Sequence, residues 1–309
     1  MPSRFEARDE TFCNLFSFFE CNGCTMVQIL RKAQSKIKNQ VFFLTEQRRF
    51  NHAQKRQRKI LFSGLHTWTK TISFSFPFNF IQIGIGDLTL DNLGKYDLVV
   101  PLGVEAVKRV YSIQKSHPKR CFKSIIPMAS EDVFNLCDDK TLFNQTLVKK
   151  GFADFIPRMY GPHAYPYFLK KKNDAWGKHS YVVHNSADEA HYAKELTSSD
   201  YFTQQAVLGK TEFATHILFL DGEIVESLNI RYHFSSNSAV KGKEVYVCHT
   251  VTSCPHLNVF RAMLRAINYS GICCINYKEE NGKPMIIEIN PRIGGSLCRY
   301  IFIFLKHLL

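Results

Sequence analysis

The sequence lacks the features that mark membrane, secreted or zinc-ribbon proteins. No run approaches the ~20 apolar residues that a membrane-spanning helix needs, and the N-terminus does not have the layout of a signal peptide. The ten cysteines are irregularly spaced, and the Cys21/Cys24 pair has no second CxxC at zinc-ribbon distance. These absences predict a cytoplasmic protein with reduced thiols, whose cysteines are small buried side chains rather than metal ligands.

Nucleotide and histidine motifs are also missing. Gly84 and Gly86 lack the third glycine of a dinucleotide fingerprint, and the twelve histidines contain no HxxxH pair. The formal net charge of +13 nevertheless favours an anionic partner. The run at 48–59 has six cations and no acid, which indicates either a polyanion-binding patch or, as we expect, a solvated face.

Strand and helix patterns alternate in the first part of the chain. Strands are predicted for the apolar segments 12–20, 41–45, 78–86, 96–103 and 122–128. Helices are predicted for 21–38 and 104–115. Such alternation predicts an α/β domain with a mostly parallel sheet and crossover helices.

From about residue 138 the pattern changes to one typical of antiparallel strands. A helix over 137–152 is predicted, with Asp138 or Asp139 as its N-terminal cap and Gly151 at its end. Asp221-Gly222 and Asn281-Gly282 suit tight hairpin turns. We therefore expect an α/β domain over 1–138, followed by an α+β domain over 139–309.

The segment "MIIEINPRIGGS", residues 285–296, carries the strongest chemical signal. Residues two apart in a strand share a face, so Ile286, Glu288 and Asn290 are expected to point one way while Ile287 and Ile289 pack the core. A carboxylate and an amide side by side at a strand end suit a hard cation such as Mg²⁺. A salt-bridged strand end followed by a plain turn is the alternative.

The residues after this strand suit an anion. Arg292 can bind a carboxylate or phosphate in two places, and Gly294 and Gly295 allow the backbone to approach an anion closely. "IIEINPRIGG" resembles the signature of the ATP-grasp superfamily, which includes carboxylate–amine ligases, biotin carboxylase and carbamoyl-phosphate synthetase. In that superfamily the Glu and Asn of this motif bind Mg²⁺–ATP, and the Arg contacts phosphate or substrate.

The resemblance extends over about 139–296 in the same order as in the superfamily. It implies a pre-ATP-grasp-like N-terminal domain, then an ATP-grasp domain with a small lobe at about 139–203 and a large lobe at about 208–309. The residues that it assigns to ATP are Lys140, Lys170, Gly177, Gln205, Ala206, Val207 and Glu212. The two lysines would contact phosphates or adenine, Gly177 lies in the phosphate loop, residues 205–207 form the adenine hinge and Glu212 binds ribose.

Several positions depart from the superfamily pattern. The third metal ligand would be Asn276 instead of a carboxylate, and Gln205 stands where a hinge glutamate is common. A strict two-residue turn at Asn281-Gly282 would place Asn276 opposite Ile287. We predict a three-residue loop, while a bulge would also bring Asn276 opposite Glu288.

Three cations beyond the signature are candidates for the same site. Arg231 lies where relatives keep a cation that points at the transferred phosphoryl group, and a surface ion pair is its alternative. Lys241 and Lys243 flank Gly242 in a loop, and we expect both to be solvated.

The resemblance implies an ATP-dependent ligase that uses one or two Mg²⁺ (or Mn²⁺) ions and joins a small carboxylate to an amine. Arg292 and Arg231 would steady the acyl phosphate. A catalytically weak relative that acts as a nucleotide-binding regulator is the second interpretation, and a polyanion-binding module based on 48–59 is the third. Nucleic acid and membrane are not expected as partners. The thirteen residues after Ser296 leave open a homo-oligomer that completes the substrate pocket.

Overall fold

The computed structural model describes residues 24–53, 57–64, 66–75, 81–161, 164–174 and 177–309. The strand predicted at 12–20 and the Cys21 part of the CxxC pair lie outside these residues. Within them, no helix is both long enough and apolar enough to cross a membrane.

The first part of the chain forms a three-stranded parallel sheet with helices, which confirms the predicted α/β pattern. The strands are β1 (Arg58–Gly64), β2 (Ile81–Ile85) and β3 (Leu98–Leu102), in the order β2-β1-β3 with both pairings parallel. The helices are α1 (Cys24–Ala53), α2 (His66–Ser75), α3 (Leu90–Leu93) and α4 (Gly103–Ser116).

Two predicted strands of this part are wrong. Residues 41–45 belong to α1, where Phe43 is buried while Val41 and Leu44 are exposed. A short apolar run does not distinguish helix from strand, and no Gly or Pro interrupts α1 to end it. Segment 122–128 contributes a single parallel bridge between Ile125 and Val99.

The basic run at 48–59 is divided between secondary-structure elements. It covers the end of α1 and the start of β1, with residues 54–56 outside the described part. Arg49 pairs with Glu46, and Arg58 pairs with Asp97. The polyanion-binding interpretation of this run stays a prediction.

Helix capping at the predicted junction follows the sequence. α5 (Glu131–Asp138) is followed by α6 (Lys140–Leu147), and the Asp139 side chain accepts hydrogen bonds from the backbone N–H groups of Thr141 and Leu142 at 2.9 and 3.0 Å. A wider helical turn at Val148–Phe152 and a 3-10 turn at Ala153–Phe155 complete the segment. Gly151 has a φ of 89° there, as expected for the residue that ends a helix.

Two antiparallel sheets make up the rest of the chain. The smaller contains β4 (Tyr167–Lys171), β5 (Ser180–Val183) and β6 (Tyr201–Gln205) in the order β5-β4-β6, with α7 (Ser186–His191) and α8 (Ala193–Thr197) between β5 and β6. The larger contains β7 (Thr211–Leu220), β8 (Glu223–His233), β9 (Cys248–Thr252), β10 (Gly271–Glu280) and β11 (Lys283–Asn290) in the order β11-β10-β7-β8-β9. α9 (Leu257–Ala266) precedes β10, and a 3-10 turn at Gly295–Tyr300 leads to α10 (Phe302–Leu305).

One face of the larger sheet shares a hydrophobic core with the N-terminal elements. This core joins Phe43 of α1 and Ile60 of β1 to Ile230 of β8 and to Tyr300 and Phe302 near the C-terminus. The Phe43 and Phe302 rings meet edge to face, with centroids 5.6 Å apart. This packing fixes α1 beside the larger sheet, where it also reaches the functional site.

The opposite face of the larger sheet packs on helices. Tyr277 and Ile289 of the sheet share a second core with Phe260 of α9, Phe134 of α5 and Phe143 of α6. These helices therefore pack on the face of the larger sheet that is opposite the N-terminal elements, and they hold the sheet in position.

Gly271, at the start of β10, tests how closely the N-terminal segment packs on the larger sheet. Its φ is 105°, and an added Cβ would lie 2.6 Å from the Met128 Cα atom. Gly282 has a φ of 76° and open space around the same position. Both substitutions strain the backbone, but only the new Cβ atom at position 271 meets a neighbouring backbone. We therefore expect Gly271→Ala to lower the unfolding free energy by about 2–4 kcal/mol and Gly282→Ala to lower it by about 1 kcal/mol. Urea unfolding measures both, and equal losses would contradict this packing.

Candidate functional site

A cavity of about 760 Å³ lies between the smaller and the larger antiparallel sheets. Phe168 and Lys170 of β4 line one side, and Asn276 of β10 and Glu288 of β11 line the other. The segment 239–249, between β8 and β9, covers an edge, and α1 contributes Lys36 and Asn39 among others. A space of this size suits a small-molecule ligand.

The β10–β11 hairpin brings Asn276 opposite Glu288 by a route other than the predicted one. The Asn281-Gly282 turn has two residues, with Glu280 paired to Lys283, so the prediction of a longer loop is wrong. The register shifts farther along, because Tyr277 pairs with Ile286 while Asn276 pairs with Glu288. The extra residue in β11 is therefore Ile287, and a β-bulge produces the pairing.

The bulge also changes which isoleucines face the core. Ile286 and Ile289 both lie in the core behind the sheet, whereas Ile287 lines the cavity beside Glu288. The expectation that Ile286 shares the polar face and Ile287 packs the core is therefore wrong. Strict alternation fails here because one residue is inserted into the strand without a partner on β10.

The Glu288 carboxylate is the centre of a polar cluster. Its Oε1 atom accepts hydrogen bonds from the side-chain amides of Asn276 at 2.7 Å and Asn290 at 3.0 Å. Its Oε2 atom lies 3.5 Å from the Lys140 ammonium, which also donates to the Asp174 carbonyl oxygen at 2.8 Å. The sequence-predicted residues Lys140, Asn276, Glu288 and Asn290 are thus brought together.

Glu288 stays ionised in this setting. Burial acts to raise its pKa, but Lys140 and the two amide hydrogen bonds outweigh it and lower the pKa from 4.5 to about 2. A carboxylate with this pKa carries its full negative charge at neutral pH, and hard cations bind ionised carboxylate oxygens well.

Lys170 is a buried cation on the opposite wall. Its ammonium donates to the Gln204 side-chain oxygen at 2.7 Å and lies 5.2 Å from the centre of the Phe168 ring. Burial lowers its pKa from 10.5 to about 8, with Glu288 acting in the opposite direction. The sequence interpretation missed Gln204, although it directly precedes the predicted residue Gln205 in β6.

The predicted hinge residues adjoin this lysine at the end of β6. Gln205 and Val207 line the cavity, and Ala206 does not. The backbone N–H of Gln205 donates to the Arg158 carbonyl oxygen at 2.8 Å. Their role in binding a base stays a prediction.

Glu212 of β7 lies buried between two lysines that the sequence interpretation did not place there. Its carboxylate is 3.9 Å from the Lys241 ammonium. Lys278 donates to the backbone oxygens of Gly209 and Asn237 at 3.1 and 3.2 Å. Burial raises the pKa of Glu212, with Lys241 and Lys278 opposing that rise.

The expectation that Lys241 is solvated is wrong. Its ammonium donates to Asn276 Oδ1 at 2.9 Å and lies 4.6 Å from the centre of the Tyr232 ring. Burial acts to lower its pKa, but Tyr232 and Glu212 reverse this and the pKa is raised. Lys243 lies farther out and donates to the Ser180 carbonyl oxygen at 2.6 Å.

The two predicted arginines are placed differently. Arg292 lines the cavity, and its guanidinium donates to Asn290 Oδ1 at 3.1 Å. Arg231 is exposed and does not line the cavity, because alternation in β8 directs its neighbour Tyr232 there instead. We therefore leave Arg231 out of the proposed machinery.

Gly177 also lines the cavity, with a φ of 64°. An added Cβ would lie 2.8 Å from a methyl carbon of Val240, so the loop closes tightly on the segment above it. A larger residue at position 177 would push these two segments apart.

A histidine–serine pair lies at the floor of the cavity and carried no sequence signal. His216 Nε2 is 2.8 Å from Ser296 Oγ, and burial lowers the pKa of His216 to about 3. His216 is therefore a neutral ring that orients the hydroxyl of Ser296, which lines the cavity. Trp68 and the α1 residues that line the cavity were likewise missed, because they lie far from the motif in sequence.

The donor set fits a magnesium ion through its chemistry. Glu288, Asn276 and Asn290 offer one carboxylate and two amide oxygens on adjacent strands, and Mg²⁺ commonly uses one or two carboxylates plus substrate phosphates. Among the described residues, no group of three or more His, Cys, Asp or Glu that could hold a metal ion is assembled, so the donor set depends on amide oxygens beside one carboxylate.

Comparison with known proteins places the fold. No family model and no curated protein matches the sequence. Among solved structures, D-alanine–D-alanine ligase from Bacillus anthracis in complex with ATP is 13% identical, with 77% of this chain and 87% of that chain covered and a TM-score of 0.52. L-amino acid ligase from Bacillus licheniformis is 16% identical, with 82% and 74% covered and a TM-score of 0.55.

Phosphoribosylamine–glycine ligase from Thermotoga maritima is 13% identical, with 78% and 70% covered and a TM-score of 0.58. All three are enzymes of the ATP-grasp superfamily. The chain has the ATP-grasp fold, and the resemblance seen in its sequence is confirmed. Identities this low concern the fold, and they leave the activity to be argued from the site.

Lys170 provides a test of the site's electrostatics that does not depend on a ligand. Its depressed pKa means that the unfolded chain binds more protons, so stability rises with pH between about 8 and 10.5. We expect Lys170→Met to raise the unfolding free energy by about 1–3 kcal/mol at pH 7, after loss of the Gln204 hydrogen bond. The gain should shrink above pH 8.

Urea unfolding at pH 7 and pH 9.5 measures this effect. Lys171→Met is the matched control, since Lys171 follows directly on the other face of β4 and is only partly buried. The control should change stability by less than about 0.5 kcal/mol. A lower unfolding free energy of Lys170→Met at both pH values would show that burial of the Lys170 ammonium does not destabilise the protein.

Proposed function

We propose that the protein is an ATP- and Mg²⁺-dependent ligase that activates a carboxylate as an acyl phosphate and joins it to an amine. ADP and phosphate are the other products. The observation that carries the proposal is the Glu288–Asn276–Asn290 donor set, which faces Lys140 and Lys170 across one cavity between two antiparallel sheets. The ATP-grasp fold supports it, and an ATP complex exists for one structural relative.

The cavity's charge distribution supports a polyanionic ligand. The lining contains the cations Lys32, Lys36, Lys140, Lys170, Lys241, Lys243, Lys278 and Arg292, against the three carboxylates of Glu212, Glu244 and Glu288. Such an excess of cations in a partly enclosed space stabilises triphosphate charge. In the proposed complex Lys140 and Lys170 bind phosphates and Glu212 binds the ribose hydroxyls.

Glu288 and Asn290 would hold Mg²⁺, with Asn276 beside them. When bound, the ion would neutralise phosphate charge while ATP supplies the transferred phosphoryl group. The chain's own contribution is positioning and electrostatics. Arg292 lies next to the metal ligands and presents a guanidinium to the acyl phosphate, and the segment 239–249 limits access of water to the cavity.

The substrates are small molecules that enter beside α1. Lys36 and Asn39 of α1, together with Trp68 of α2, line the cavity on the side where the chain turns after β11. This region offers the Lys36 ammonium to a carboxylate, while the Asn39 amide is hydrogen-bonded to the His249 carbonyl oxygen and the Val251 N–H of β9.

A nucleotide-binding regulator with weak or no catalysis is the second candidate. It is favoured by one observation: the amide oxygen of Asn276, which would be a metal ligand, is occupied by Lys241. The two candidates differ in product, because a regulator binds Mg²⁺–ATP without releasing ADP in the presence of amino acids and carboxylates.

Substitution of Glu288 tests the proposed ligase. We expect Glu288→Gln to weaken Mg²⁺-dependent ATP binding at least about tenfold and to reduce ADP release at least about 100-fold, because the charged metal ligand is lost. Equilibrium binding and ADP release against a library of amino acids and small carboxylates provide the two measurements.

Glu280→Gln is the matched control, at the far end of the same hairpin and outside the cavity. It should keep both properties within about twofold. Circular dichroism must show that both variants are folded. ATP binding and ADP release that are unchanged in Glu288→Gln would reject the assignment.

A further inference from the structure

Lys241 places its ammonium on the Asn276 amide oxygen, one of the oxygens considered above for a metal ion. Its ammonium is 2.9 Å from Asn276 Oδ1 and 3.9 Å from Glu212 Oε1. The Tyr232 ring supports it from one side, 4.6 Å away. An ammonium with an amide oxygen, a carboxylate and an aromatic face around it is a built cation site, filled from within the chain.

The loop geometry makes this placement specific. Lys241 and Gly242 belong to the segment over the cavity, and the Val240 backbone N–H is fixed by Glu244 Oε1 at 3.0 Å. Lys243, two residues on, is held elsewhere by the Ser180 carbonyl oxygen. Only one of the two loop lysines therefore reaches the Asn276 oxygen.

The charges of the donor set argue for a single divalent ion. Glu288 is the one carboxylate among the three proposed ligands, and Asn276 contributes no charge. Two Mg²⁺ ions would add four positive charges to a cavity that already contains several lysines. An amide at position 276 beside a lysine has a local charge of +1, the same as an aspartate beside a second divalent ion, so the ammonium can replace that pair without changing the charge of the cavity.

Glu288 and Asn290 form the other end of the donor set, where the Asn290 Oδ1 atom accepts a hydrogen bond from the Arg292 guanidinium at 3.1 Å. Asn290 lies next to Glu288 on β11, with its Nδ2 atom 3.0 Å from Glu288 Oε1. Lys241 does not contact Asn290. The two ends are thus chemically different: at one, the Lys241 ammonium is surrounded by the Asn276 oxygen, the Glu212 carboxylate and an aromatic ring. At the other, Arg292 donates to the Asn290 oxygen and to the Ile293 carbonyl oxygen.

We propose that this site binds one divalent cation, at Glu288 and Asn290, and that the Lys241 ammonium on Asn276 and Glu212 takes the place of a second ion. The inference rests on the proposed function, since it concerns the same nucleotide site. In this proposal Asn276 is not a metal ligand, and its side-chain oxygen instead accepts a hydrogen bond from Lys241.

The test counts metal ions rather than activity. The full chain, in excess over adenylyl imidodiphosphate, is titrated with Mn²⁺, and free Mn²⁺ is measured by electron paramagnetic resonance. We expect one Mn²⁺ per bound nucleotide in the unsubstituted protein. The double variant Asn276→Asp/Lys241→Met restores a carboxylate and removes the ammonium, and it should bind two.

Matched variants separate the lysine from general charge effects. Asn276→Asp/Lys243→Met keeps Lys241 and should remain at one Mn²⁺. Lys241→Met alone should also remain at one, with nucleotide affinity about 10- to 100-fold weaker. All variants are first checked for a cooperative unfolding transition.

The outcomes separate this inference from the proposed function. Two Mn²⁺ per nucleotide in the unsubstituted protein, or one in the Asn276→Asp/Lys241→Met variant, would overturn the lysine-for-metal inference while nucleotide binding stands. No binding of the nucleotide to the unsubstituted protein at any Mn²⁺ concentration would overturn the proposed function, and the inference with it.

Discussion

The ionised carboxylate of Glu288 is the interaction on which the site depends. It is held by two amides and faced by Lys140, and these contacts keep its pKa near 2 although burial opposes this. The bulge at Ile287 makes the arrangement possible, because it turns Glu288 toward Asn276 without moving Ile286 and Ile289 out of the core. One inserted residue thereby joins the packing of the sheet to the chemistry of the cavity.

Two of the buried cations around this carboxylate, Lys170 and Lys278, oppose folding of the chain. Burial depresses the pKa of Lys170 and of Lys278, so both ammonium groups are held at a cost in stability. A polyanion between the two sheets would relieve that cost. Lys170 is also one of the two cations that the proposed triphosphate would contact, which is the usual relation between stability and function at binding sites.

Local signals in the sequence predicted much of the fold. The Asp139 cap and the Asp221-Gly222 turn depend on residues close in the chain, and both are observed. The 41–45 strand was wrong because the same five residues satisfy a helix once α1 continues past them. Packing of Phe43 on Phe302 favours the helix over the strand for these residues, and a contact between residues so far apart in the chain leaves no local sequence pattern.

The site was predictable where chemistry and strand alternation coincide, and not elsewhere. Glu288, Asn290 and Asn276 are assembled as their residue types and order indicated, although the bulge that pairs them has no distinct sequence mark. Lys241 was expected to be solvated because a loop lysine has no periodicity, and only the fold of 239–249 over the cavity brings it to Asn276. Arg231 shows the reverse case, since order in the motif suggested a role that alternation along β8 does not support.

The central claim is that the cavity between the two antiparallel sheets binds Mg²⁺–ATP at Glu288. A crystal structure of the full chain with adenylyl imidodiphosphate and Mn²⁺ tests it most directly, because the anomalous signal of Mn²⁺ locates the ion independently of the nucleotide. The account predicts the triphosphate beside Lys140 and Lys170, with an anomalous peak within coordination distance of the Glu288 carboxylate. A nucleotide bound outside this cavity, or a peak remote from Glu288, would contradict it.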